Sequence, residues 1–454
     1  MKLSCPAVGR APIRMKIGDF QVENRIQITT AILIFLITGG LVSQLKAQDD
    51  LSPKILLITM DSLRPDHLGC YGYKKNTSPN IDKLAKEGVV FTQAIAQASW
   101  TLPSMVSIIT SSYPSTHKVY NWDMGFSPKL LTLARILKGC GYYNFFCSGH
   151  NKTLSAILGS QGGFDKWSSN EDLIASSKVN GYALKFLKEN YQRKFFLWIH
   201  YMDTHNHFYK IGNDEESSLS RSEKAASIYK YDAAITQVDR QIGVIIDELK
   251  KLNIDKNTLI IITADHGEEM CEHGICFNHG GFLWDPIIRV PLIMVWKNHF
   301  SGNNRKLNQV QHIDIASTIC DILKIKKPIS FEGQSLLPII SGSESTLRPA
   351  FSEHQERVGD SKDGAWVYTK FSVRLDNWKL IYTLYPKEKK YDLYNLKNDP
   401  EELNILTEAE GVKLESLKEE LEAWLKRKKP KINPIAKSFD EETKERLKSL
   451  GYLQ

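Results

Sequence analysis

Four short segments of this 454-residue chain place chemically capable side chains directly after apolar runs. Asp265 and His266 follow Leu259 to Thr263, an adjacent pair able to offer one metal ion an oxygen and an imidazole nitrogen. His273 and His279 come soon after, and the alternative is a structural Asp–His hydrogen bond. Asp61 follows Lys54 to Thr59 in "ITMDSLRPDHLGCYG", where a carboxylate at a strand end suits a metal ligand and equally a helix cap. Asp66 and His67 stand close behind it, and Arg64 is expected to pair with a neighbouring acid. His150 and Asn151 follow Tyr143 to Cys147, and Asp203, His205 and His207 follow Phe195 to His200. Thr101 differs, because it precedes Pro103 and an apolar helical stretch in "ASWTLPSMVSIITSSYPSTHKV". Proline suits the first turn of a helix, so Thr101 belongs at or near the N-cap. It can be a cap and nothing more. The same position turns its hydroxyl toward unpaired amide donors and a positive dipole end, a setting for a nucleophile and a tetrahedral oxyanion.

The elements that must position these groups are short buried strands, the four runs above and Pro291 to Val295. Helical stretches separate them, notably Pro128 to Lys138 and about Ser220 to Leu252. This alternation predicts an α/β fold with a doubly wound, mainly parallel sheet covered on both faces. Ligands of such sheets bind beyond the carboxyl ends of the strands, where the polar residues fall. From about Ser345 the pattern changes to antiparallel strands with turns at Asp376–Asn377 and Asn398–Asp399–Pro400. A charged helix from Lys413 to Lys428 and a final stretch ending in "LKSLGYL" follow. The expected organisation is a leader over 1–47, a catalytic domain over 53–345, and a smaller C-terminal α+β subdomain over 346–454.

The composition, 42% apolar and 24% charged, is that of a globular protein with a large core. The formal charge is +7, but residues 1–47 hold six basic residues against Asp19 and Glu23, leaving about +3 for the rest. That excess is too small to argue for a nucleic-acid partner. An apolar run over residues 28–42 follows Arg14, Lys16 and Arg25 and ends in small residues near Ala47, as in a secretory signal or N-terminal membrane anchor. The expected location is outside the cytoplasm, where some of the six cysteines beyond Cys5 can pair; their spacing does not say which.

The succession "LLITMDSLRPDHLGCYGY", "SPNIDKLAKEGVVFTQA", "SWTLPSMVSIITSSYPSTH", "ADHGEEMCEHG", "HGGFLWDPIIRVPLIM", "HIDIASTICDIL", "FEGQSLLPII" and "YDLYNLKNDPEELN" resembles the sulfatase-type hydrolases of the alkaline phosphatase superfamily over roughly residues 53 to 405. The resemblance implies a divalent metal held by Asp61, Asp265 and His266, with Thr101 beside it as nucleophile and ligand. It also implies that His205 contacts the substrate, and that His150–Asn151 stands where the family has a Lys-x-His pair. Departures accompany the match. Sulfatases oxidise a Cys or Ser to formylglycine in a Cys/Ser-x-Pro-x-Arg motif, whereas this chain has Thr101-Leu102-Pro103-Ser104-Met105. Ser62 occupies the place of the family's second acidic ligand. Superfamily relatives with a threonine nucleophile cleave or transfer phosphate esters, so a phosphate ester is expected ahead of aldehyde-type sulfatase chemistry.

The mechanism is coherent without the aldehyde. A divalent ion, zinc, manganese or magnesium before calcium, would depress the Thr101 hydroxyl pKa while imidazoles, His205 and His279 among them, protonate the leaving group. Asp203-x-x-x-His207, with His279 as third ligand, also has the spacing of a second metal site in related phosphodiesterases. The substrate is expected to be a small-molecule, glycan or lipid ester. The alternatives are a transferase passing a phospho-alcohol group to an envelope lipid or glycan, and a catalytically silent binding protein of the same fold.

Overall fold

Buried β-branched and aromatic runs make strands, and those runs form one large sheet. The computed structural model describes residues 52–127, 129–150, 152–168, 174–205, 219–357, 366–385, 387–427, 429 and 435–436. The sheet contains β1 (Lys54–Met60), β2 (Val89–Ile95), β3 (Tyr143–Ser148), β4 (Lys166–Trp167), β5 (Phe195–Tyr201), β6 (Thr258–Ala264), β7 (Arg289–Val295) and β8 (Asn304–Gln311). Their order is β8-β2-β7-β6-β1-β5-β3-β4. All pair in parallel except β7, which runs antiparallel to both β2 and β6. This is the mainly parallel α/β sheet expected.

The longer helices of this part are α1 (Pro79–Lys86), α2 (Thr101–Thr110), α3 (Leu133–Gly139), α4 (Ser176–Asn190), α5 (Arg221–Lys251) and α6 (Asp314–Ile322). α5 starts where its capping box dictates: the Glu223 amide donates to Ser220 Oγ, and the Ser220 amide donates to Glu223 Oε2. α3 begins later than the periodicity predicts, at Leu133 and not at Pro128. Thr132 explains the difference, since its Oγ1 accepts from the Arg135 amide at 3.2 Å and donates to the Gly162 carbonyl at 2.5 Å. Every residue of α2 is buried, and its N-cap is Trp100, so Thr101 is the first helical residue.

The smaller sheet is antiparallel, in the order β9 (Ala350–Arg357), β10 (Trp366–Leu375), β11 (Trp378–Leu384), β12 (Lys389–Asn395). Helix α7 (Gly411–Lys426) turns Leu414, Leu417, Leu421 and Trp424 onto Val373, Leu380 and Leu393, an apolar stripe at helical spacing. A second shared core joins Ala350, Ile381 and Tyr394 to Ile95, Leu283, Ile287 and Ile288. Lys379, fully buried, pairs with Asp285 at 3.0 Å and Glu402 at 2.8 Å, pinning the loop before β7 to the small sheet. Cys271 and Cys276 form a disulfide. No helix among the described residues is long and apolar enough to cross a membrane. The apolar run 28–42, the rest of the leader, Asn151, His207 and the "LKSLGYL" stretch lie outside the described residues.

Candidate active site

β1 lies between β6 and β5, parallel to both, so the residues that leave these strands converge. Asp61 and Asp265 meet there, both fully buried. Ser62 organises them from a left-handed backbone (φ 54°). Its Oγ donates to Asp61 Oδ1 at 2.8 Å and its amide donates to Asp265 Oδ1 at 3.2 Å. The His266 amide also donates to Asp265 Oδ1, at 2.8 Å. Each carboxylate thus has one oxygen fixed by donors and one turned inward. Asp61 Oδ2 accepts from the Thr101 hydroxyl at 3.2 Å, while Asp265 Oδ2 has no hydrogen-bond partner among the described residues.

Thr101 enters from the N-terminus of α2, which Ser104 anchors by donating to the Asp265 carbonyl at 2.5 Å. Its Oγ1 is also 3.3 Å from His266 Nε2. His266 Nδ1 donates to the Gly267 carbonyl at 2.8 Å, which leaves the lone pair on Nε2, 3.4 Å from Asp265 Oδ2. Burial, then the charge of His279, pushes the His266 imidazole down to about 3 and keeps it neutral.

One member of the site escaped the sequence reading. His200 lies inside β5, in register with Thr59 of β1, and is fully buried. Its Nδ1 is 2.9 Å from Thr59 Oγ1, which accepts from Trp198 Nε1 at 3.0 Å. Its Nε2, with no hydrogen-bond partner among the described residues, is 3.6 Å from Asp61 Oδ2. Asp61, His200 and Asp265 each offer a ligand atom, and these atoms lie within 4.8 Å of one another. Two buried carboxylates at this separation resist ionising together. Burial drives Asp61 up, but the facing imidazoles, His205 first and then His200 and His266, hold it well below the usual range. Asp265 is pushed well above, first by burial and then by the charge of Asp61. The unsatisfied Asp265 oxygen, the His200 and His266 nitrogens and the paired acids fit a divalent cation.

The remaining imidazoles form one wall. His279 sits 4.4 Å from His266 between ring centroids and 5.1 Å from His205. Its Nδ1 faces Glu268 at 3.3 Å; burial opposes the proton, but Glu268 outweighs it and raises the imidazole above its ordinary range. His150 stacks 6.3 Å from His200 and sits tilted 5.3 Å from Trp122, between ring centroids. Thr204 Oγ1 donates to the Asp61 carbonyl at 2.5 Å, tying the segment after β5 to the centre.

Other sequence candidates are used elsewhere. Asp203 caps α4, accepting from the Ser176 amide at 3.0 Å and its hydroxyl at 2.8 Å. His207, the other member of the Asp203-x-x-x-His207 spacing, lies outside the described residues. Arg64 pairs with Asp66 and Glu272, His67 with Asp232, and His273 with Glu269 while stacking on Trp284. Met105, where the sulfatase motif has arginine, is fully buried in the core.

Fold, carboxylate pair and helix-borne hydroxyl define a class. Residues 53–325 match the sulfatase family model, and residues 271–431 match that of the N-sulphoglucosamine sulphohydrolase C-terminal region. The first match spans more than half of the chain, which belongs to the sulfatase family of ester hydrolases. Among its relatives, an ulvan-active sulfatase of Formosa agariphila is 23% identical over 444 residues, covering 88% of this chain and 85% of the relative. A phosphonate monoester hydrolase of Agrobacterium radiobacter shares the fold with a TM-score of 0.68 at 18% identity, covering 85% of this chain and all of that one. A third protein, solved with its substrate D-glucosamine-2-N,6-O-disulfate, aligns with a TM-score of 0.67 at 19% identity over 83% of this chain and 98% of its own.

Proposed function

We propose that this protein hydrolyses phosphate or sulfate esters with the Thr101 hydroxyl as nucleophile, phosphate esters being favoured. The observation that carries the reading is the position of Thr101 Oγ1, at a helix N-terminus and within 3.3 Å of both Asp61 Oδ2 and His266 Nε2. A divalent ion held by Asp61, Asp265, His266 and Thr101, with His200 beside them, would lower the hydroxyl pKa and polarise the ester. This mixed nitrogen and oxygen set suits zinc or manganese better than calcium, whose sites are built of oxygen. Attack by Thr101 Oγ1 on phosphorus or sulfur, its proton released to solvent on ionisation, forms the threonine ester and expels the alcohol, which takes a proton from the imidazole wall. His279, whose imidazole Glu268 raises above its ordinary range, and the adjacent His205 are the donors. The helix N-terminus faces the oxyanion, and water then cleaves the threonine ester. Met105 supports the choice of hydroxyl over aldehyde chemistry, since no arginine stands in its place.

The test is a rate comparison on an aryl phosphate monoester, a phosphodiester and a sulfate ester with defined metals. Phosphate turnover ahead of sulfate is expected, lost in Thr101→Ala; sulfate turnover that survives this change overturns the reading. We also place the protein outside the cytoplasm, supported by the leader pattern and the Cys271–Cys276 disulfide. Recovery of a soluble cytoplasmic protein with residues 1–47 intact would overturn that placement.

A further inference from the structure

Beside the centre, the small sheet presents an ammonium that forms no ion pair with a carboxylate of a described residue. The segment before the nucleophile and the loop after His279 are joined: the Gly280 amide donates to the Ser99 carbonyl at 2.9 Å. His354 of β9 closes the joint, its Nδ1 accepting from Ser99 Oγ at 3.1 Å and from the Gly281 amide at 3.3 Å. Gly281 has φ 68°, and a Cβ there would come within 3.3 Å of the Tyr368 hydroxyl, so the approach of β10 depends on glycine. From β10, Lys370 Nζ donates to the Gly281 carbonyl at 2.5 Å and lies 4.4 Å from the Phe282 ring centre and 4.9 Å from that of Tyr368.

No carboxylate of a described residue pairs with Lys370. Glu356, the nearby acid, accepts from the Tyr368 hydroxyl and lies 3.5 Å from His354 Nε2. Burial therefore dominates and draws the Lys370 ammonium down to about 8, against the opposing charges of Glu356 and Asp392 and with the help of Lys390. Aromatic faces hold such a cation in place without pairing its charge. Its remaining N–H donors and its hold on the carbonyl of Gly281, two residues after His279, suit an anion on the part of the substrate that leaves.

We propose that Lys370 forms an anion subsite for the leaving alcohol, so that the substrates are esters of alcohols carrying a second anionic group, a carboxylate or a further sulfate. The inference rests on the ester-hydrolase reading and names the substrate class of that site.

Titration calorimetry with the leaving alcohols alone tests it independently of turnover, using phenol, 3-hydroxybenzoate and 3-hydroxybenzenesulfonate with the wild-type protein, Lys370→Met and Lys370→Arg. The wild type should bind at least one charged phenol roughly tenfold more tightly than phenol, and the better of the two identifies the anion. The preference should vanish in Lys370→Met and persist in Lys370→Arg. Equal affinities in the wild type, which need no variant to fold, overturn the subsite. A retained preference in Lys370→Met, with a lowered melting temperature, also overturns it and makes Lys370 a strut between β10 and Gly281. Turnover of the three matching aryl esters is read separately: discrimination among the alcohols without any ester cleavage sinks the hydrolase reading and leaves the subsite standing.

Discussion

Replacing Thr101 by alanine separates a nucleophile from a helix residue because the two roles predict losses of different size. Alanine keeps helix geometry but removes the hydroxyl that donates to Asp61 Oδ2 at 3.2 Å and contacts His266 Nε2 at 3.3 Å. Withdrawing a donor from a buried carboxylate costs about 1–3 kcal/mol, and the lost methyl about 1 kcal/mol more. That total, about 2–4 kcal/mol, lies below the usual stability of about 5–15 kcal/mol, so the variant should fold. Its turnover should nevertheless fall by roughly 10³- to 10⁶-fold, the scale of losing a nucleophile. Steady-state rates on an aryl phosphate, with bound metal measured on the same samples, report both effects. Acid-quenched wild-type protein should carry a phosphate ester on Thr101, detectable by mass spectrometry. Thr101→Ser should retain part of the rate. Thr101→Cys, coexpressed with a formylglycine-generating enzyme, should gain little sulfatase activity because Met105 replaces the arginine. Undiminished turnover in Thr101→Ala with metal still bound would refute the assignment and leave Thr101 a structural residue of α2.

Chelation should abolish activity, and Asp265→Ala or His266→Ala should lower bound metal; unchanged metal content in both would sink the metal assignment. His200→Ala should weaken metal binding by roughly 10- to 100-fold whether it ligates directly or holds Asp61, as competition with a chromogenic chelator would reveal. His205→Ala should slow esters with poor leaving groups more than those with good ones if it serves as proton donor, and equal slowing would reassign it to binding. Lys379→Met leaves Asp285 and Glu402 without their buried cation and should cost about 3–5 kcal/mol in denaturant unfolding; a loss under 1 kcal/mol would deny that the pairing holds the two sheets together.

Legibility in the sequence followed burial. β1, β3, β5 and β6 are buried along nearly their whole length, so each reads as an apolar run and its end can be located. β8, an edge strand of sequence NRKLNQVQ, buries only its last three residues and shows no such run. The site divided along the same line. Asp61, Thr101, Asp265 and His266 follow strands or open a helix, and their surroundings mark them. His200 is internal to a strand, and its contact Thr59 is 141 residues distant, so only the β1–β5 register discloses it. Asp203 holds a second contact of this kind: beside the spacing to His207 that suggests a metal pair, its carboxylate accepts from Ser176, 27 residues distant, at the start of α4.

Ser62 links the departures from the family motif. Where sulfatases have an acid, this serine donates one hydrogen bond to each of Asp61 and Asp265, from its side chain and from its backbone. Both donations fall on Oδ1, so Oδ2 of each carboxylate is the oxygen left facing the interior. A third acid at this position would withdraw the hydroxyl donor from Asp61 and add a like charge beside two buried carboxylates, one of them already pushed far toward neutrality. The serine instead orients a two-carboxylate centre whose other contributors, His266 and His200, bring nitrogen and no negative charge. Around such a centre an unmodified hydroxyl lies between Asp61 and His266, so under the proposed mechanism the threonine at 101 and the serine at 62 support one chemistry and not two independent defects.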